Sequence, residues 1–573
     1  MTYSFQLFRR NKGGYSMKRF LSLLVALAMV LGLTSSFALA EAQTDDPAFK
    51  KFAEPVEVHI GMSVSPTNTT LEDGDTVDNN FYTRYLLDNY NIKVIVDWTA
   101  ANGTDYDQKV ALTIASNSMP DAMVVNNRSY FLAAAESDML YDLGAAFEQY
   151  ASQQVKQIYA TTDGKADEMV TYDGKISALA NISVAADGVH VMMVQQNWLD
   201  QLGLEVPTTI DELYEVAKAI KEAAPAGDRT IPILGAQKDS RVYANFLNST
   251  NNQCGFEPIF TAMDAYPGYF VDDGTGKVVY GTLTQETRDA LELLAKWYQE
   301  GLIDPEFATR DYYSDVINAN ECAFFAGPWW SIGYGNGDSF KNDSDVNWQA
   351  YPLFTKDGKW NSKMKSVGGS YTLVNKNVSE DVAAAIIIMN NVLVRYESSF
   401  TNMTAEDIEW YPIRNVIGAL DECEYTYEQL IKILDGETAP EDYKDELNYK
   451  LLYNDALAVK NCVPGYEKGK RIDRSAFNTA DEGNFQRQYS LLVGDRPYAT
   501  TPIDKEVYSV TYATNETIDR YWSNLEALED SMVRSIITGK SDITAFDAFV
   551  EQWMNEGGSK VLEAVQAEYD AAK

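Results

Sequence analysis

The chain has only two histidines, His59 and His190, and four cysteines, Cys254, Cys322, Cys423 and Cys462. That inventory limits the covalent chemistry open to it. A zinc hydrolase of the H-E-x-x-H type has no counterpart here, and the four cysteines stand too far apart for a thiolate zinc site. Triad hydrolysis would need one histidine beside a nucleophile. His59 lies in the alternating run Val56-Glu57-Val58-His59-Ile60 and His190 in the apolar stretch 189–193, so both read as structural. No GxSxG, GxxxxGK[ST] or strand-preceded GxGxxG occurs, and Tyr334-Gly335-Asn336-Gly337 reads as a loop. A two-carboxylate glycosidase stays open, because 84 acidic residues make any single pair uninformative. The positive signal is aromatic. Gly327-Pro328-Trp329-Trp330 follows the apolar run 322–326, and Trp98, Trp348, Trp360, Tyr371, Trp410 and Tyr411 stand beside polar loops. Such rings pack on the C–H faces of sugars while Asn, Asp, Arg and Ser take the hydroxyls. The Gly-Pro pair ends a strand and sets both indoles at a loop.

The elements that would position these residues alternate. Residues 56–60 predict a strand, 79–89 a helix, 91–98 a strand, 106–115 a helix and 122–125 a short buried strand after Met119-Pro120-Asp121. That order predicts an α/β fold with parallel strands and crossover helices. Ligands of such sheets sit at the carboxyl ends of the strands, where residues 63–70 and 126–130 fall. Thr209-Ile210-Asp211-Glu212 is a capping box opening a helix that runs to Pro225. A helix opened by Thr284 closes at Gly301, another spans 382 to about 394, and two more meet at Gly557-Gly558.

Length, charge and the N-terminus set the class. At about 150 residues per domain, 573 residues make two or three domains. A 45% apolar composition is enough to bury real cores. The formal charge of −37 argues against nucleic acid as a partner and favours a neutral ligand over an acidic one. Residues 1–40 carry Arg9, Arg10, Lys12, Lys18 and Arg19, an apolar core over 20–33 and the ending Ala38-Leu39-Ala40, which predicts an export signal cleaved after Ala40. Met17 would serve equally as the start. The apolar core is shorter than the roughly 20 residues of a membrane span. No cysteine stands at the cleavage point, so lipid anchoring is not expected. In an oxidising compartment the four cysteines allow three pairings, of which Cys423–Cys462 closes the shortest loop.

Several landmarks then recur in one order: the helix, Ser-Met-Pro-Asp and strand of 109–125; Tyr172-Asp173-Gly174-Lys175-Ile176; Trp198-Leu199-Asp200-Gln201-Leu202-Gly203-Leu204 with Pro207-Thr208-Thr209; Gly301-Leu302-Ile303-Asp304-Pro305; Gly327-Pro328-Trp329; Gly368-Gly369; and the helical end 546–573. In this the chain resembles the extracellular solute-binding proteins of carbohydrate-importing ABC transporters, in their large lipoprotein-type branch, and more distantly the maltose-binding protein. The resemblance implies a periplasmic-binding-protein-like type II fold, two α/β lobes joined by a hinge of crossing segments. The expected division is a linker at 41–51, lobe 1 at 52–180 and 370–405, and lobe 2 at 181–369 and 406–573. It implies a non-catalytic protein that takes an oligosaccharide and passes it to permease subunits, working as a monomer without cofactor or metal. Trp329 and Trp330 would stack on the sugar, Asn126, Asn127 and Arg128 would supply polar contacts, and Ser370 and Tyr371 would lie near the cleft. Some relatives hold calcium in a loop that here reads Ala224-Pro225-Ala226-Gly227-Asp228-Arg229, with too few oxygen ligands. Two other readings stay open: a secreted glycoside hydrolase or lyase, and a peptide-binding relative of the same fold.

Overall fold

The computed structural model describes residues 46–249, 253–334, 337–403, 407–415, 417–446, 448–449 and 451–571; the expected leader lies outside them. The strands of the two main sheets are β1 (Val56–Val64), β2 (Ile92–Ala101), β3 (Ala122–Val125), β4 (Ala178–Ala180), β5 (Val191–Gln195), β6 (Ile231–Ile233), β7 (Cys322–Gly327), β8 (Trp348–Tyr351) and β9 (Tyr371–Val374). The helices that matter most are α1 (Phe81–Tyr90), α2 (Thr104–Ala115), α3 (Arg128–Glu136), α4 (Ile210–Ala223), α5 (Gln285–Gln299), α6 (Glu380–Met403) and α7 (Glu516–Ile537).

The first sheet has the order β2-β1-β3-β9-β4. β1 runs parallel to β2 and β3, as crossovers through α1 and α2 require. Val58 and Ile60 are buried while Glu57 is exposed, which is the alternation that the sequence carries. β9 returns antiparallel between β3 and β4, setting Tyr371 opposite both Val125 and Ala180. Helix α6 is longer than its apolar pattern predicts. Residues 383–394 are buried on every side, so it is a central helix rather than an amphipathic one. Its carbonyl at Met389 accepts from the Tyr411 hydroxyl at 2.6 Å.

The second sheet has the order β8-β5-β7-β6. Successive side chains of β5 enter opposite cores, Met192 and Val194 on one face and Val191 and Met193 on the other. α4 covers one face, opened by the Thr209–Glu212 capping box that the sequence shows. The helices over 422–500 cover the other.

Buried residues fall into separate clusters. One collects side chains from 48–182 and 367–417; two others collect 185–364 and 420–565. Ala48 and Phe49, expected in a linker, sit in the first cluster, as do Trp410, Tyr411 and Ile413. The chain passes between the two bodies at 181–184, 365–370 and 417–420, and these crossings are hydrogen-bonded together. Asn181 N donates to Ser370 O (3.1 Å), Ser183 N to Val367 O (2.9 Å), Gly418 N to Ile182 O (3.0 Å) and Ala185 N to Leu420 O (2.8 Å).

The expected Cys423–Cys462 bridge is not formed. All four thiols are free and buried. Burial raises their pKa values, that of Cys462 to about 11.

Candidate functional site

On the first lobe, the strand ends beside the crossings are polar. β3 stops at Val125, and the next three residues divide their work. Asn126 is exposed and its Oδ1 accepts from Ser370 Oγ at 2.8 Å. Asn127 is committed to structure, capping α3 by accepting from Ser129 N at 2.9 Å. Arg128 opens α3 half-buried, with its Nε bonded to nothing in the protein. Tyr371 is 4% exposed and stacks on Phe131 with centroids 5.2 Å apart, and burial pushes its hydroxyl up to about 12. It therefore forms wall rather than contact. A residue that sequence reasoning missed completes this corner. Asn181 Oδ1 accepts from Gly369 N and Ser370 N, both at 2.7 Å, and so locks two crossings together. Its signal was faint: a single amide following the small apolar strand Ala178–Ala180.

On the second lobe, the matching strand end is aromatic. β7 stops at Gly327, where a Cβ would lie 2.5 Å from Ser331 Oγ, so a larger residue would press on Ser331. Trp329 is only 7% exposed. Its Nε1 donates to Asp187 Oδ1 at 3.0 Å, and the Arg487 guanidinium lies 5.7 Å from its ring centroid. Arg487 is held in turn by Asp455, Nη2 to Oδ2 at 2.9 Å. Burial raises the Asp187 carboxyl, which the Trp329 hydrogen bond and the charge of Lys365 partly offset. Trp330, next in line, is half-buried. The structure thus brings Asn126, Arg128 and Ser370 to one side of the crossings and Trp329 and Trp330 to the other.

The remaining candidates do not join them. Trp98 lies across the register shift of β1 and β2, its indole filling the space that a Cβ on Gly61 would need, and it tilts against Tyr106 at 5.7 Å. Trp410 is buried and donates from Nε1 to Thr70 Oγ1 at 2.9 Å, pinning the loop after β1. Tyr411 is buried with it, its hydroxyl spent on Met389. Both are core residues of the first lobe, because the polar turn around them folds back onto α6. Trp348 and Trp360 are likewise buried.

Neither histidine is paired with a nucleophile. His59 Nδ1 bonds Asp97 at 2.7 Å, which raises its pKa. His190 is fully buried, and desolvation lowers it to about 4, so the ring is neutral. Among the described residues no group of three or more His, Cys, Asp or Glu side chains is placed to hold a metal ion.

The two α/β lobes are thus joined by three crossings that are hydrogen-bonded to one another. The profile of the bacterial extracellular solute-binding proteins matches residues 82–422, and the chain belongs to that family. It is 25% identical over 297 residues to the lipoprotein LipO of Bacillus subtilis, covering 51% of this chain and 52% of that one. It is 24% identical over 242 residues to the fructooligosaccharide ABC transporter substrate-binding protein FusA of Streptococcus pneumoniae, covering 40% and 43%. The chain spans about half the length of the curated relatives it matches. Its fold is that of a solved HMO-binding, ABC-transporter-associated solute-binding protein of Bifidobacterium longum infantis. That match has a TM-score of 0.58 and 15% identity, over 91% of this chain and 99% of the other. The fold is therefore the two-lobed, periplasmic-binding-protein-like one.

Proposed function

We propose that this protein is an extracellular receptor that captures a neutral oligosaccharide between its lobes and hands it to the permease subunits of an ABC transporter. The observation that carries the reading is the pairing of unlike strand ends at the crossings. The exposed Asn126 with the half-buried Ser370 and Arg128 stands at the strand ends on one side of the crossings, and the indoles of Trp329 and Trp330 stand at the strand end on the other. A sugar needs both chemistries, one for its hydroxyls and one for its C–H faces. The names of the relatives, a fructooligosaccharide binder and an HMO binder, support that ligand class. The charge of −37 supports a neutral sugar. We draw lobe 1 as 52–180 with 370–405, enlarged by 46–51 and 407–417, and lobe 2 as 181–369 with the chain after 417. The protein works as an exported monomer without catalysis, its leader cut after Ala40. Among the described residues no helix is long and apolar enough to cross a membrane.

A thermal-shift screen of fructo-, malto- and galacto-oligosaccharides tests the ligand, with oligogalacturonides and short peptides as the competing arms. A ligand at a hundred times its Kd stabilises the folded protein by about 2.7 kcal/mol, a rise of a few degrees. Asn126→Ala is expected to weaken the best sugar about tenfold, the cost of one lost hydrogen bond to a bound hydroxyl. A shift only with peptides moves the reading to peptide binding, and steady release of sugar products moves it to a hydrolase. A folded Trp329→Ala protein with full sugar affinity removes this site from the account.

A further inference from the structure

The turn at 185–188 follows directly on the first crossing, and it touches the other two. Its Ala185 N donates to Leu420 O of the third crossing at 2.8 Å. Its Gly188 packs so closely on the second that a Cβ there would lie 2.7 Å from Lys365 Cβ and 2.9 Å from Lys365 N. Lys365 then binds back to the first crossing, Nζ donating to Ser183 Oγ at 2.7 Å and to Ser183 O at 3.0 Å, and also to Ser366 O at 3.0 Å. This turn is therefore the knot where all three crossings meet. Its one ionisable side chain is Asp187, and that carboxylate holds the indole N–H of Trp329.

We propose that Asp187 is a positioning residue that ties the aromatic end of β7 to the hinge. The indole N–H is spent on Asp187 and the Arg487 guanidinium stands 5.7 Å from the ring centroid, so Trp329 is held at its edge and keeps no donor for a ligand hydroxyl. A force on the ring is passed to the 185–188 turn, and from there to the crossings at Ser183, Lys365 and Leu420. The ring and the hinge behave as one mechanical unit. This deepens the site reading given above, but its core is independent of which sugar binds.

Amide hydrogen exchange on the ligand-free full chain tests the coupling, comparing wild type with Trp329→Phe, Asp187→Ala and Asp187→Asn. Phenylalanine keeps a ring and removes the donor. Asn keeps an acceptor at the same atom. Trp329→Phe and Asp187→Ala are expected to speed exchange about tenfold in segments 181–188, 365–370 and 417–421, the effect of losing one buried hydrogen bond from the closed state. Asp187→Asn is expected to stay near wild type. Should Asp187→Ala fail to fold, the Trp329→Phe comparison decides alone. Faster exchange confined to 327–334, or no change at the crossings, overturns the proposal. The screen above separates the two claims: if no sugar raises the melting temperature the oligosaccharide reading falls, while the exchange result still decides the coupling.

Discussion

The two lobes solve the problem of buried polarity in opposite ways. In the first, the buried polar side chains are neutral: Asn80, Gln154, Thr372, Asn390, Asn391 and Asn415 stand among them, and none of the described ones is charged. Asn391 is typical, its amide donating to Ala48 O and Tyr150 O at 2.8 and 2.7 Å while its Oδ1 accepts from Ser152 N. In the second lobe ionisable side chains are buried outright, including Glu257, Lys363, Lys365, Asp455, Asp495 and Glu529. Lys363 and Glu257 pair at 2.7 Å with side chains 1% and 4% exposed. Glu529 is surrounded by the hydroxyls of Tyr243, Tyr280 and Thr282. Neutral amides anchor a backbone at every pH, whereas buried charges make stability depend on protonation. At the strand ends beside the crossings, the first lobe sets Asn126 and Ser370 with Arg128, and the second holds Trp329 through Asp187 and Arg487.

The largest blow to this contrast comes from unpairing a buried charge. Lys363→Met leaves Glu257 buried without its partner and is expected to cost about 3–5 kcal/mol in urea unfolding. The double variant Lys363→Met/Glu257→Gln should recover most of that loss; if it does not, packing rather than charge is what matters there. The next effect is on pH. Burial raises Glu424 to about 7 from an unfolded value near 4.5, so the folded state binds the extra proton. Its contribution is complete below the unfolded value and is lost as pH rises from 4.5 to 7, in total of the order of 3 kcal/mol. Glu424→Gln should flatten that decline when urea midpoints are compared at pH 5 and pH 8, and an unchanged slope would sink the assignment. The smallest effect belongs to the neutral lobe. Asn391→Ala strands two carbonyls and one N–H and is expected to cost about 1–3 kcal/mol, with the same loss at both pH values. A pH-dependent loss at Asn391 would erase the distinction between the lobes.

Much of the first lobe was legible, because its strands and helices announce themselves through period. Val58 and Ile60 alternate with polar neighbours, and in the second lobe Thr209 marks the start of the helix that it caps. The strand end at Gly327 could be read from Gly-Pro alone. Side-chain destinations were harder. Glu409-Trp410-Tyr411-Pro412 has the composition of an exposed loop, yet both rings turn inward, since only the distant Thr70 and Met389 supply their hydrogen-bond partners. Trp329 shows the same limit. Its place at a strand end follows from the sequence, but the carboxylate that holds it stands 142 residues away in the chain. Asn181 carries only a faint local signal and Asp187 none, although both bond across the crossings or to the strand end. Position along an element is written in neighbouring residues, and contact between elements is not.

The four sequestered thiols have one last consequence. A family of proteins that works outside the cell often meets oxidants, and many small exported domains rely on cross-links for their shape. This chain holds itself together without a cross-link, by packing, hydrogen bonds and ion pairs. Its folding should need no oxidase or isomerase, and its native state should be the same in a reducing vessel as in air.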